Sequence, residues 1–217
     1  RGGPDYALAA GAVRGAMESP RAEITDALWA ELPKVPAERK GLLILALADR
    51  GESRVLPAVL EAAQGSDEPL RILAFRALKR VGDASCVPAL LDAAVQGDEE
   101  MSQAAMASLE SLQDKSVDEQ LVSRLSEAQG KMRIVLVELA GRRRTAAATP
   151  ALWRAVDDAD SAVRIAALAG LGAVIETADL PKLIARLAKT TEEQEAAALD
   201  KALREVCLRS EDRDAVA

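Results

Sequence analysis

Arg142, Arg143 and Arg144 stand side by side in a predicted turn, with Arg133 and Arg154 near them in sequence. Clustered guanidinium groups could hold a phosphate or a carboxylate, so these three form a possible anion site. The competing reading is a solvated turn whose cations complement a helix C-terminus. Two acidic clusters, Asp157-Asp158-Asp160 and Glu192-Glu193-Glu195, could do acid–base work or bind calcium. Each precedes or opens a helical pattern, where acids complement the dipole, and that reading is preferred. Other chemistry is scarce. The chain has no His, which removes the commonest general base and metal ligand. Cys86 and Cys207 are far apart, which excludes a zinc cluster or a disulfide scaffold. Both read as buried thiols in Ala/Leu-rich helices. No Gly-rich phosphate loop, nucleophile elbow or metal-ligand spacing is present. No catalytic residue, metal or cofactor is assigned, and a non-enzymatic role is expected.

The elements that position these residues must be helical. The 217 residues include 45 Ala and 29 Leu, strong helix formers and poor strand formers. A formal charge of −7 and only four aromatic side chains argue against a nucleic-acid partner. The longest apolar run, Leu42 to Ala48, is too short to span a bilayer, so direct membrane insertion is not expected.

A 31-residue ruler organises the chain. Pro57, Pro88, Pro150 and Pro181 are separated by 31, 62 and 31 residues, and Glu119 takes the skipped place. Trp29 and Trp153 are 124 apart, four periods. One apolar column reads Leu28, Val59, Leu90, Leu121, Leu152 and Leu183, and another Leu42, Leu73, Ala104, Val135, Ala166 and Ala197. Each period holds two helical patterns. The pairs fall near 22–33/37–49, 54–64/68–81, 85–95/99–112, 116–128/130–141, 147–156/161–173 and 179–188/192–208. Proline sits in the first turn of the first helix, where it is tolerated. Asp67, Asp98 and Asp160 are candidate N-caps of the second. Gly51 and Gly82 close helices, while Gly141 and Gly172 fall within or at the end of theirs. Residues 4–18 read as an earlier second helix, and the tail from Glu211 as the start of another segment.

Asp160-Ser-Ala-Val-Arg164-Ile-Ala-Ala-Leu-Ala-Gly-Leu-Gly172 resembles the second-helix signature of HEAT repeats. Val87-Pro88-Ala89-Leu90-Leu91 and Thr149-Pro150-Ala151-Leu152 resemble the first-helix signature, and Leu78-Lys-Arg-Val81-Gly82-Asp83 the closing turn. The short bacterial class of about 31 residues per repeat, the bilin-lyase HEAT-like type, is the nearest pattern. The resemblance covers about residues 21–208. It implies an all-α, right-handed α-α superhelix of about six helix pairs plus an N-terminal helix, with second helices on the concave side. The expected repeats are 21–51, 52–82, 83–113, 114–144, 145–175 and 176–208, in one solenoid over 1–217 cut from a longer chain. Period four departs most, with Glu119 for proline and Arg142-Arg143-Arg144 for the Gly-Asp turn.

Two columns bear on function. Lys40, Arg71, Ser102, Arg133, Arg164 and Glu195 are each 31 apart, in the first turn of successive second helices. Lys40, Arg71, Arg133 and Arg164 are expected to form the structural ladder that HEAT resemblance implies, rather than a basic strip. Ile44, Phe75, Met106, Val137, Leu168 and Leu199 form an apolar column, with Ile72, Ile134 and Ile165 beside it. Two apolar faces on one helix need two neighbours or one exposed side. If exposed, the column is a concave groove for an apolar peptide or helix, anchored by Phe75 and Met106 and rimmed by Arg76, Lys79 and Glu138. The groove would then comprise Ile72, Phe75, Arg76, Lys79, Met106, Ile134, Val137, Glu138, Ile165 and Leu168. The expected function is protein binding or scaffolding, with a protein or peptide, or another domain of the same polypeptide, as partner. A structural arm and a HEAT-like enzyme such as a bilin lyase are the alternatives. Cytoplasmic and exported locations both remain open.

Overall fold

The computed structural model describes residue 15 and residues 22–216. Twelve α-helices and four single turns of 3-10 helix, with no strand, make up the described residues. The first helices are α1 Ala22–Glu31, α3 Leu56–Gln64, α5 Val87–Gln96, α7 Lys115–Leu125, α9 Thr149–Ala155 and α11 Leu180–Leu187. The second helices are α2 Ala37–Asp49, α4 Glu68–Val81, α6 Glu99–Ser111, α8 Gly130–Arg142, α10 Ser161–Val174 and α12 Glu193–Val216. The expected helix at 4–18 lies outside the described residues apart from Gly15. The tail opens no new segment, because α12 continues to Val216.

Local chemistry sets the boundaries. Pro57, Pro88, Pro150 and Pro181 each occupy the first turn of a first helix, where the missing N–H is one of the helix's unpaired donors anyway. The Asp67 carboxylate accepts from the Leu70 N–H at 3.2 Å, Asp98 from Met101 at 2.8 Å and Asp160 from Ala162 at 2.9 Å. Each satisfies a donor at the start of a second helix. At the far end of α2, Gly51 turns the chain with φ +73°. Three periods later Arg144 adopts φ +51° at the end of α8. The backbone bonds match: Gly51 N–H to Ala48 O and Glu52 N–H to Leu47 O, then Arg144 N–H to Gly141 O and Thr145 N–H to Ala140 O. Arg144 therefore holds a left-handed position that glycine fills without strain.

The chain separates into two compact units, Arg1–Asp114 and Lys115–Ala217. The division falls one residue from the expected end of the third repeat. In each unit every first helix packs on its own second helix, and the second helices stack: α2 on α4 on α6, and α8 on α10 on α12. A lone pair cannot bury both apolar faces of its second helix, so stacking supplies the missing neighbour. Leu47, Leu78 and Leu109, one column, are 0 % exposed, and so are Leu90, Leu152 and Leu183 in the first helices.

Candidate functional site

The column Ile44, Phe75, Met106, Val137, Leu168 and Leu199 is core. All six side chains are buried, with Phe75 at 2 % and Met106 at 7 % exposure. Phe75 and Met106 therefore anchor no groove, and Ile72, Val137 and Leu168 are buried with them. The reason is the second neighbour: each of these helices packs on at least one other second helix of its stack as well as on its own first helix. The Ser108 hydroxyl even donates to the Phe75 carbonyl, 2.5 Å away, from the next helix. Arg76 and Lys79 stay exposed, and Arg76 is tied to Glu100 at 2.8 Å.

What remains open in the second unit is a groove of ≈ 1040 Å³ along α8, α10 and α12. Ile134, Glu138 and Ile165, three of the expected groove residues, line it and are half-buried. Its floor is made of small residues. Ala162, Ala166, Ala169 and Ala173 recur at spacings of four, three and four, one stripe of α10. Glycine lets the helices beneath approach closely. A Cβ on Gly141 would lie 2.7 Å from Gly170 Cα, and one on Gly172 would lie 2.8 Å from Ala202 Cα. The remaining wall is Lys201, Glu205, Leu208 and Arg209 of α12, which the sequence reading missed. The alanine stripe and the Gly141/Gly172 pair, one period apart, were the signals available for it.

The cationic column points along the stack. Arg164 donates to Glu195 at 3.3 Å and to both carboxylate oxygens of Glu192 at 2.9 Å, and to the carbonyls of Asp158 and Ala159. Arg133 pairs with Asp158 at 3.0 Å. Arg71 places Nη2 3.3 Å from the Met101 sulphur. Each reaches into the following repeat. Lys40 is half-buried and forms no ion pair among the described residues. Glu195 is only 6 % exposed, and Arg186 joins it at 2.9 Å while holding Asp157 at 2.6 Å. The acidic clusters are thus partners of arginines and caps of helices. Among the described residues no group of three or more His, Cys, Asp or Glu could hold a metal.

Arg142, Arg143 and Arg144 do not converge on one anion. Arg142 faces Glu138 at 3.7 Å, whereas the nearly buried Arg143 side chain meets Asp118 on α7 at 2.7 Å. Arg144 is exposed at its turn. Arg143 thus points away from its neighbours, while Arg142 and Arg144 both line the groove along α8, α10 and α12. Cys86 is fully buried, and burial pushes its thiol pKa up. Cys207 is exposed, contrary to expectation.

No helix among the described residues is long and apolar enough to cross a membrane. Residues 56–133 and 118–204 match the family of HEAT repeats. Comparison with curated protein sequences gives no match. Among solved structures, human deoxyhypusine hydroxylase in complex with glycerol is similar, at 17 % identity and a TM-score of 0.42. The likeness covers 92 % of this chain and 79 % of that one, and it is too distant to carry an argument about activity.

Proposed function

The chain belongs to the HEAT-repeat family, and on that premise we propose a non-enzymatic interaction module whose second unit grips a protein or peptide partner. The observation that supports this reading is the groove of ≈ 1040 Å³ over α8, α10 and α12. Its alanine floor would admit a helix or an extended segment close to the backbone. Ile134, Ile165 and Leu208 offer apolar contact, and Glu138, Arg142, Lys201 and Glu205 form a mixed-charge rim. Interfaces of this kind combine a small apolar centre with a polar border. The partner can equally be another domain of the same polypeptide.

A photo-crosslinking residue placed at Ala169, exposed on the groove floor, tests the proposal in cells that make the protein. The same residue at Arg154, exposed on a first helix, is the control. A discrete adduct at 169 that is absent at 154, and lost when Ile165 becomes Asp with helicity intact, is expected. Equal labelling at both positions, or none, would favour a structural arm.

A further inference from the structure

Stacked repeats reproduce the same crevice at each junction, between a second helix, its own first helix and the first helix of the following repeat. Two of these crevices lie four periods apart and can be compared residue by residue. Trp29 corresponds to Trp153, Lys40 to Arg164, Ala58 to Lys182 and Ala62 to Arg186. In the second unit the crevice is an opening of ≈ 780 Å³ lined by charge, with Asp157, Arg164, Lys182, Arg186, Glu192 and Glu195 around it. Lys182 Nζ lies over the Trp153 ring, 5.5 Å from its centroid. Arg186 runs through the junction to Asp157, Glu195 and the Val156 carbonyl. Arg164 is saturated by Glu192 and Glu195.

In the first unit the same positions carry small residues. Alanines replace the two long cations, and the crevice becomes a cavity of ≈ 560 Å³ lined by Trp29, Leu32, Lys40, Ile44, Glu61, Ala62 and Leu70 among others. Its walls are mostly apolar, and Leu32 and Ile44 are buried while Trp29 and Leu70 are half-buried. Trp29 is fixed from the side: Arg54 stands 5.6 Å from its ring centroid and is itself held by Glu52 at 2.7 Å and Asp26 at 3.2 Å. The place of Glu195 is taken by Arg71, and neither Glu68, which stands in the place of Glu192, nor Glu61 forms an ion pair with Lys40 among the described residues. Lys40, without an ion pair among the described residues, therefore faces a cavity that is aromatic and aliphatic apart from the exposed Glu61. Concave, mainly apolar cavities of this size with one or two fixed polar groups are the usual form of small-ligand sites.

We propose that the crevice between the first two repeats binds aromatic carboxylates, with the ring against Trp29, Ile44 and Leu70 and the carboxylate on Lys40. The site is separate from the groove proposed above and stands or falls without it. Three probes of similar size differ in charge at one end: 4-iodobenzoate, 4-iodobenzamide and 4-iodobenzylamine. Iodine quenches indole emission on contact, and Trp153→Phe leaves Trp29 as the reporting residue. 4-Iodobenzoate is expected to quench saturably and to bind about tenfold tighter than the benzylamine. Lys40→Gln should weaken the benzoate about fivefold and leave the benzamide unchanged. Ala62→Arg, which places the long cation of the later crevice in the apolar cavity, should abolish saturable quenching with helicity retained. Ala58→Lys serves the same end where Ala62→Arg fails to fold. Quenching that rises linearly without saturation, equal affinity for acid and amine, or undiminished binding by a folded Ala58→Lys protein would each overturn the assignment.

Discussion

Gly141→Ala sets two effects of known sign against each other. Alanine in a helix interior gains about 1 kcal/mol over glycine from propensity. The new methyl carbon would lie 2.7 Å from Gly170 Cα on α10, against a normal carbon contact of about 3.5–4.0 Å. The helices must part by roughly 1 Å, and backbone cannot rotate away as a side chain can. Nor can α10 retreat freely, because its opposite flank is as tight: a Cβ on Gly172 would lie 2.8 Å from Ala202 Cα on α12. Overpacking in a rigid setting costs about 1–3 kcal/mol, and the pinned helix places this case at the upper end. Net destabilisation of about 1–2 kcal/mol is expected. Urea unfolding followed by Trp153 in a Trp29→Phe background reports the second unit. With an m-value of about 1–2 kcal/mol/M the midpoint should fall by about 1 M. Ala169→Gly, at an exposed position of α10, calibrates propensity alone and should cost about 1 kcal/mol. A midpoint unchanged or raised by Gly141→Ala would refute the close-approach argument, since propensity would then have won.

Arg144→Gly should stabilise the second unit by about 0.5–1 kcal/mol, because relief of a left-handed residue (about 1–2 kcal/mol) exceeds the entropy cost of glycine (about 0.5–1 kcal/mol); a lower urea midpoint would contradict this. Thiol titration of the folded protein should show one fast cysteine, the exposed Cys207, and one that reacts only through unfolding, the buried Cys86. Two equivalents released at one rate would be inconsistent with that burial. Hydrogen bonds from the Arg54 side chain, then its backbone N–H, lower the Glu52 pKa from 4.5 to about 2. A depressed carboxylate stabilises the fold fully above its unfolded value, so this contribution is intact above pH 4.5 and fades as pH falls toward 2. Glu52→Gln should flatten that part of the acid limb in a pH series of urea midpoints, and an unchanged slope would remove Glu52 from the account.

The helix pairs were legible because their boundaries rest on local chemistry. Proline in the first turn and aspartate at the N-cap act within a few residues, so α4 begins and ends where the pattern put it, at Glu68 and Val81. Exposure was less legible where it was read from residue type alone. Phe75 and Met106 looked like anchors because interfaces favour such side chains, but their burial depends on which helix stands alongside. The ruler itself carried more than was taken from it. Cys86 shares its column with Val55, Val117 and Ala148, all fully buried, whereas Cys207 shares its column with the exposed Glu176. Register thus separated two cysteines that composition treated alike. It separates the junction crevices in the same way. The exchange of Ala62 for Arg186 four periods on is visible in sequence, but an apolar cavity follows only if the backbone frame stays in place when the side chain is lost. Helix propensity and stacking hold that frame at both sites, so the side chains alone decide whether a crevice is apolar or lined by charge.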